Sequence, residues 1–134
     1  MEKIWPRSKE GFTTLELIVV VVAVGVLTVF FFMQAVTMAA LERDDWSKRA
    51  INAMYFVLED INFARDGFYP EVLNEDTLRG FDPEFFTDPF GMNIGMEGSV
   101  FTYEPSNCTD GECQHYVLRA VLEREAEFVR RSRN

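Results

Sequence analysis

Gly11-Phe12-Thr13-Thr14-Leu15-Glu16 runs without a break into Leu17-Ile18-Val19-Val20-Val21-Val22-Ala23-Val24-Gly25-Val26-Leu27-Thr28-Val29-Phe30-Phe31-Phe32-Met33. The uncharged stretch continues through Gln34 and Thr37 to Leu41, 25 residues in all. A bilayer span needs about 20 mainly apolar residues, whereas the apolar core of a signal peptide is usually about 7–15. The run therefore reads as a retained membrane helix. Glu16 stands at its mouth, where a carboxylate drawn inward without a partner costs on the order of a few kcal/mol.

Lys3, Arg7 and Lys9 precede the run, and Glu42, Arg43, Asp44 and Asp45 follow it. That basic flank predicts an N-terminus inside the cell and a C-terminal domain outside. Beyond residue 11 the chain holds ten basic and twenty acidic side chains, a net charge of −10. Such a surface repels phosphate backbones, so nucleic acid is not an expected partner of the domain. The exception, Arg130-Arg131-Ser132-Arg133, reads as a solvated, frayed tail.

From Phe12 nothing strongly breaks a helix before Gly67. Gly25 costs about 1 kcal/mol against alanine, which a membrane helix tolerates. Met54, Val57, Leu58 and Ile61 fall at the i, i+3, i+4, i+7 spacing of one helix face, and Ala50, Ile51 and Ala64 extend that stripe. Arg43, Asp44, Lys48, Arg49, Glu59, Asp60 and Arg65 are the expected polar flanks. Gly67, followed by Pro70, is the expected stop. One helix over residues 12–66 would reach roughly 80 Å, of which a bilayer core takes about 30 Å.

After Gly67 turn residues and aromatics take over. Gly80-Phe81-Asp82-Pro83 and Asp88-Pro89-Phe90-Gly91 are turn signals, and Gly95 and Gly98 mark a loose loop. Residues 99–103 and 115–121 have strand propensity. Between them Cys108 and Cys113 enclose Thr109-Asp110-Gly111-Glu112, and Asp-Gly favours a tight turn. A disulfide across the end of an antiparallel hairpin is the leading reading for a domain outside a membrane. A redox pair would more usually be spaced by two residues, and half a metal site lacks its second ligand cluster. Asn107-Cys108-Thr109 formally satisfies a glycosylation sequon. The fold class expected is α+β, a long N-terminal helix packed on a small antiparallel sheet. Its parts are a leader (1–11), an apolar helical half (12–41), an amphipathic half (42–66) and a β-rich region (67–134) in which residues 122–134 are solvated.

Enzyme chemistry finds little footing. There is no nucleophile elbow, phosphate loop or zinc-ligand spacing. His115, the single histidine, falls inside a predicted strand. The acidic pairs Asp44-Asp45, Glu59-Asp60 and Glu75-Asp76 read as solvated polar faces.

A short basic leader ending in Gly11, then Phe12, then Glu16 resembles the N-terminus of type IV prepilins and secretion-system pseudopilins. Gly25-Val26-Leu27, Asp66-Gly67-Phe68-Tyr69-Pro70 and Asp88-Pro89-Phe90-Gly91 are similar to further segments of that family. The resemblance implies a pilin-like fold, cleavage after Gly11 by a prepilin peptidase and methylation of the new amine on Phe12. It also implies a filament of this chain or related pilins, built by an inner-membrane assembly platform for secretion, motility, adhesion or DNA uptake. Two features depart from the pattern: Met33 stands where many members have proline, and the cysteines enclose only a short hairpin.

Once the leader is removed, a free amine on Phe12 can compensate Glu16, from within one helix at a spacing of about one turn or from an axially staggered neighbour. The hypothesis is that this pair sets register in a filament; the alternative is an interfacial glutamate near headgroups with no partner. Gly11, without a side chain, lets a peptidase approach the backbone closely. Some pseudopilins bind calcium before their last strands. Asp88, Glu97, Glu104, Asp110 and Glu112 are oxygen donors in about that region, but their spacing matches no metal loop, so no cofactor or ligand set is assigned. The thirteen phenylalanines are expected mostly between helix stripe and sheet. The rival readings are a secreted protein cut after Ala39, where Thr37-Met38-Ala39 offers small residues, and a single-pass anchored binding module that does not polymerise. Both leave Gly11, Phe12 and Glu16 unexplained.

Overall fold

The computed structural model describes residues 11–78 and 80–133, so most of the leader lies outside the described residues. The fold is α+β, a long N-terminal helix followed by a four-stranded antiparallel sheet. The chain divides into two compact units, the first closing at Thr37 and the second beginning at Met38.

In the first unit the chain enters helix α1 (Thr14–Phe56). Thr13 caps it, its Oγ1 accepting the Glu16 N–H at 3.2 Å, which satisfies one of the orphan donors of the first turn. Inside the apolar run the only hydroxyls look after themselves. Thr28 donates to the Val24 carbonyl at 2.8 Å and Thr37 to the Met33 carbonyl at 3.1 Å, the usual i−4 bond of a helical threonine. The helix is unbroken at Met33.

The second unit takes up the same helix at Met38. Ala40, Asp44, Ser47, Ala50, Ile51 and Met54 form its buried face. Helix α1 then passes into a π-helical segment (Val57–Phe63) and a last turn (Ala64–Asp66). Gly67 ends it in the left-handed region (φ 77°), with its N–H donated to the Phe63 carbonyl, as a C-terminal glycine should.

The π segment corrects the expected stripe. Its i→i+5 bonding uses more chain per turn than an α-helix, so the buried face moves on by one residue. Val57 and Leu58 stay in the core, but Ile61 is 43% exposed and Ala64 is exposed, while Glu59 and Asn62 are buried. Glu59 is therefore no solvated flank.

The sheet consists of β1 (Tyr69–Pro70), β2 (Phe101–Thr109), β3 (Glu112–Ala120) and β4 (Phe128–Arg131). Strand β3 is central, with β2 along one edge and β1 and β4 along stretches of its length. The β2–β3 hairpin turns at Asp110-Gly111, both with positive φ (53° and 85°), the geometry of a two-residue type I′ turn. Both strands run right up to that turn, so Cys108 and Cys113 are paired strand residues joined by a disulfide. Pro105 sits within β2, at the edge of the sheet, the place where a missing N–H is tolerated.

Residues 122–133 differ most from the sequence reading. Phe128–Arg131 pairs with β3 (Ala120↔Phe128 to Val117↔Arg131), and Ser132 donates its N–H to the Tyr116 carbonyl. Far from fraying, the basic cluster is built into the sheet. Arg130 donates to Asn52 and lies over the Tyr55 ring, and Arg133 bridges to Asp60. Glu123, Glu125 and Glu127 pair with Arg43, Lys48 and Arg119. The core between helix and sheet gathers Ile51, Met54, Leu58, Tyr69, Phe101, Tyr116 and Leu118. Phe81 and Phe85 pack against it, Phe86 lies inside it, and Phe90 stands out at 56% exposure.

Candidate functional site

The residues singled out for processing and assembly lie together at the start of the chain described. Gly11, Phe12 and Thr13 are exposed and precede the helix, with nothing within 4 Å of where a Gly11 side chain would stand. Phe12 is 78% exposed. The peptide bond between Gly11 and Phe12 thus joins two exposed residues that precede the helix. The cap that starts α1 comes from Thr13, downstream of that bond, so a cut after Gly11 leaves the first helical turn its own N-terminal partner.

Glu16 occupies the first turn of α1 and is exposed. A negative charge there is favoured by the unpaired N–H groups and the helix dipole. From residue 17 to 33 every position is exposed, and none of the most apolar window is buried within its own chain. This is a helix long and apolar enough to cross a membrane, lacking any internal cover.

Among the described residues of the second unit three carboxylates are buried, Asp44, Glu59 and Asp88, none of which the sequence reading set apart from the polar surface or from its oxygen donors. Glu59 accepts from the Tyr69 hydroxyl on both oxygens (3.1 Å each), from the Tyr116 hydroxyl (2.9 Å) and from the Arg133 backbone N–H (3.2 Å). Burial, reinforced by the Glu59 carboxylate, raises the Tyr116 hydroxyl far above its ordinary range, so it stays a proton donor. Asp44 accepts the N–H groups of Glu123 and Arg124 (2.8 and 2.9 Å). Asp88 accepts from the N–H groups of Phe90, Met92 and Val100 (2.9 Å each) and from the Ser99 hydroxyl. Burial pushes the Asp88 carboxyl up, but its backbone donors at Met92, Val100 and Phe90, with Ser99, outweigh that and hold it below the usual range.

All three carboxylates spend their oxygens on backbone N–H or hydroxyl donors. They tie distant segments together and present no free base to a substrate. Among the described residues no group of three or more His, Cys, Asp or Glu side chains is placed to hold a metal ion. Of the oxygen donors considered for calcium, Asp88 is committed to its loop and Glu104 lies 3.4 Å from Arg119. His115 lies half-buried in β3 opposite Ser106.

One open groove of about 420 Å³ flanks the helix just after the uncharged run, lined by Ala39, Glu42, Arg43, Trp46, Glu84 and Pro89 among others. Trp46 forms its aromatic wall, stacked on Phe85 at 5.3 Å. Sequence reasoning missed this groove because Trp46 and Pro89 lie far apart in the chain. No family model, curated protein or solved structure matches this chain.

Proposed function

We propose that this chain is a subunit of a type IV pilus-like filament, a pilin or pseudopilin. It is cut after Gly11 by a prepilin peptidase, held in the membrane by the first half of α1, and polymerised through that half. The observation that carries the reading is a fully uncovered apolar helix opening directly on the Gly11–Glu16 motif. A surface of that kind needs lipid or like helices around it, and a filament subunit meets both in turn.

In this reading hydrolysis of the Gly11–Phe12 bond frees an amine at Phe12, four residues from Glu16. That amine, on the same or an adjacent subunit, neutralises the carboxylate as the helices leave the bilayer, so the pair sets the axial register. The helix-to-helix contacts repeat head to tail without closing into a ring. The second unit, carrying its own core, faces outward along the filament. The function is mechanical, through polymerisation and depolymerisation.

The reading also accommodates the Thr37-Met38-Ala39 segment, which lies inside α1 and not at a helix end. The decisive experiment is the N-terminus and intact mass after co-expression with a prepilin peptidase and an assembly platform. A chain beginning at methylated Phe12 is expected. One beginning near Ala40 would point to ordinary secretion, and an uncut chain to an anchored module.

A further inference from the structure

The 88–92 turn displays an aromatic side chain on a rigid frame. Asp88 holds that frame through four donors, and a bridge between Thr87 and Asn93 closes it. From it Phe90 and Met92 project, 56% and 40% exposed. Leaving such apolar area in water forfeits roughly 25 cal/mol per Å², and a fixed loop cannot fold it away. The position is specific. The Arg43 guanidinium lies over the Phe90 ring, 5.8 Å from its centre, and Arg43 is two residues past the end of the uncharged run. Pro89, next to Phe90, lines the same groove as Ala39 and Glu42.

Helix rise sets the depth. At about 1.5 Å per residue, an uncharged run of 25 residues exceeds a hydrocarbon core of about 30 Å by several ångströms, within the headgroup layer on each side. The end of that run, residues 39–41, therefore reaches the outer headgroup layer, and Arg43, the residue over the Phe90 ring, follows it by two positions. The groove there carries both signs of charge, Arg43 and Arg49 against Glu42, Glu84 and Asp88, which suits zwitterionic headgroups better than anionic ones.

We propose that the 88–92 turn is a membrane-interface anchor: before polymerisation Phe90 and Met92 insert among phospholipid headgroups, with the Trp46 groove facing the same layer. This rests on the reading that the first half of α1 spans a bilayer. In this proposal the turn leaves lipid when the subunit is extracted.

The full-length chain in phosphatidylcholine vesicles tests it, with Trp5→Phe and Trp46→Phe as background so that one introduced tryptophan reports alone. Phe31→Trp probes the span, Phe90→Trp the turn, and Phe56→Trp an exposed helix position beyond the groove. Phe31→Trp is expected to be quenched by lipids brominated in the acyl chain. Phe90→Trp is expected to be quenched by headgroup-nitroxide lipids at least twofold more strongly than Phe56→Trp, and less by acrylamide. Equal quenching of Phe90→Trp and Phe56→Trp by acrylamide, with Phe31→Trp still quenched by acyl bromine, would overturn the anchor and leave the span standing. Shielding of Phe90→Trp from both lipid and acrylamide would overturn it in favour of cover by a second copy. Loss of the Phe31→Trp signal would remove the span, and the anchor with it.

Discussion

Over residues 17–33 the long helix presents valine, leucine, isoleucine and phenylalanine all round and buries none of them in its own chain. Beyond residue 40 the same helix buries one stripe and answers the polar groups on it individually. Asp44 and Glu59 lie in that second half as deeply as the aliphatic residues beside them, each fitted with donors. In the first half the hydroxyls of Thr28 and Thr37 bond to their own helix. The contrast shows two ways of finishing a helix. One half is indifferent to rotation and sliding until something outside the chain covers it; the other is fixed in angle and register by specific partners. The proposed filament subunit, which would change its surroundings without refolding, needs both.

The comparison can be broken most sharply at Glu16. Glu16→Ala is expected to abolish filament assembly while leaving cleavage after Gly11 intact, read by electron microscopy and intact mass. Normal filaments from that variant would detach the apolar half from any register role. Next in size is Glu59→Ala, which strands two tyrosine hydroxyls and an amide in the core. It is expected to destabilise the second unit by about 3 kcal/mol, measured by urea unfolding in detergent, with the helicity of the first half unchanged. A loss under 1 kcal/mol would show that the π segment relaxes to an ordinary α-turn.

Replacing Cys108 and Cys113 together by serine is expected to cost about 2 kcal/mol, the chain-entropy value for so short a loop, with hairpin pairing preserved by the Asp110-Gly111 turn. Loss of the β2–β3 amide pattern in NMR spectra would instead make the disulfide the source of the register. The smallest effect is local and set by pH. The Asp88 carboxyl is held below its usual range in the folded chain, so its contribution is complete above the unfolded value near about 3.9 and fades as pH falls through the folded one. The Phe90, Met92 and Val100 amides are expected to keep their shifts from pH 7 to about 4 and to move below that. Movement near pH 6 would contradict the bonding described.

The apolar half was legible because a bilayer demands little of a sequence beyond length and absence of charge. The β2–β3 hairpin was legible from a turn dipeptide and two cysteines, and Gly67 from its place after the amphipathic stripe. Other parts depend on partners far away in the chain. Residues 128–133 look like a basic tail until Asn52, Tyr55 and Asp60 are seen beneath them. Strand β1 is two residues long and one is proline, too short for any alternation to register. Glu59 was read as surface because a regular α-spacing places Leu58 and Ile61 inward; the π segment replaces that spacing, and within it the carboxylate meets the hydroxyls of Tyr69 and Tyr116. Gly11 and Phe12, proposed for processing, and Glu16, proposed for assembly, were named from residue types alone, whereas the cap from Thr13 depends on the helix geometry.

The buried Glu59 also has a consequence for the order of events in folding. Its donors come from residues 10, 57 and 74 positions away along the chain. A nascent helix and the β2–β3 hairpin can form quickly from local contacts, but the most distant of these bonds closes only when the last strand docks. Loop closure of that length is slow compared with hairpin formation. Until then a carboxylate on the inner helix face resists desolvation and discourages collapse into partly built cores. The second unit is therefore expected to fold in one late step and to show a single unfolding transition, with its final strand among the last elements to gain protection from hydrogen exchange.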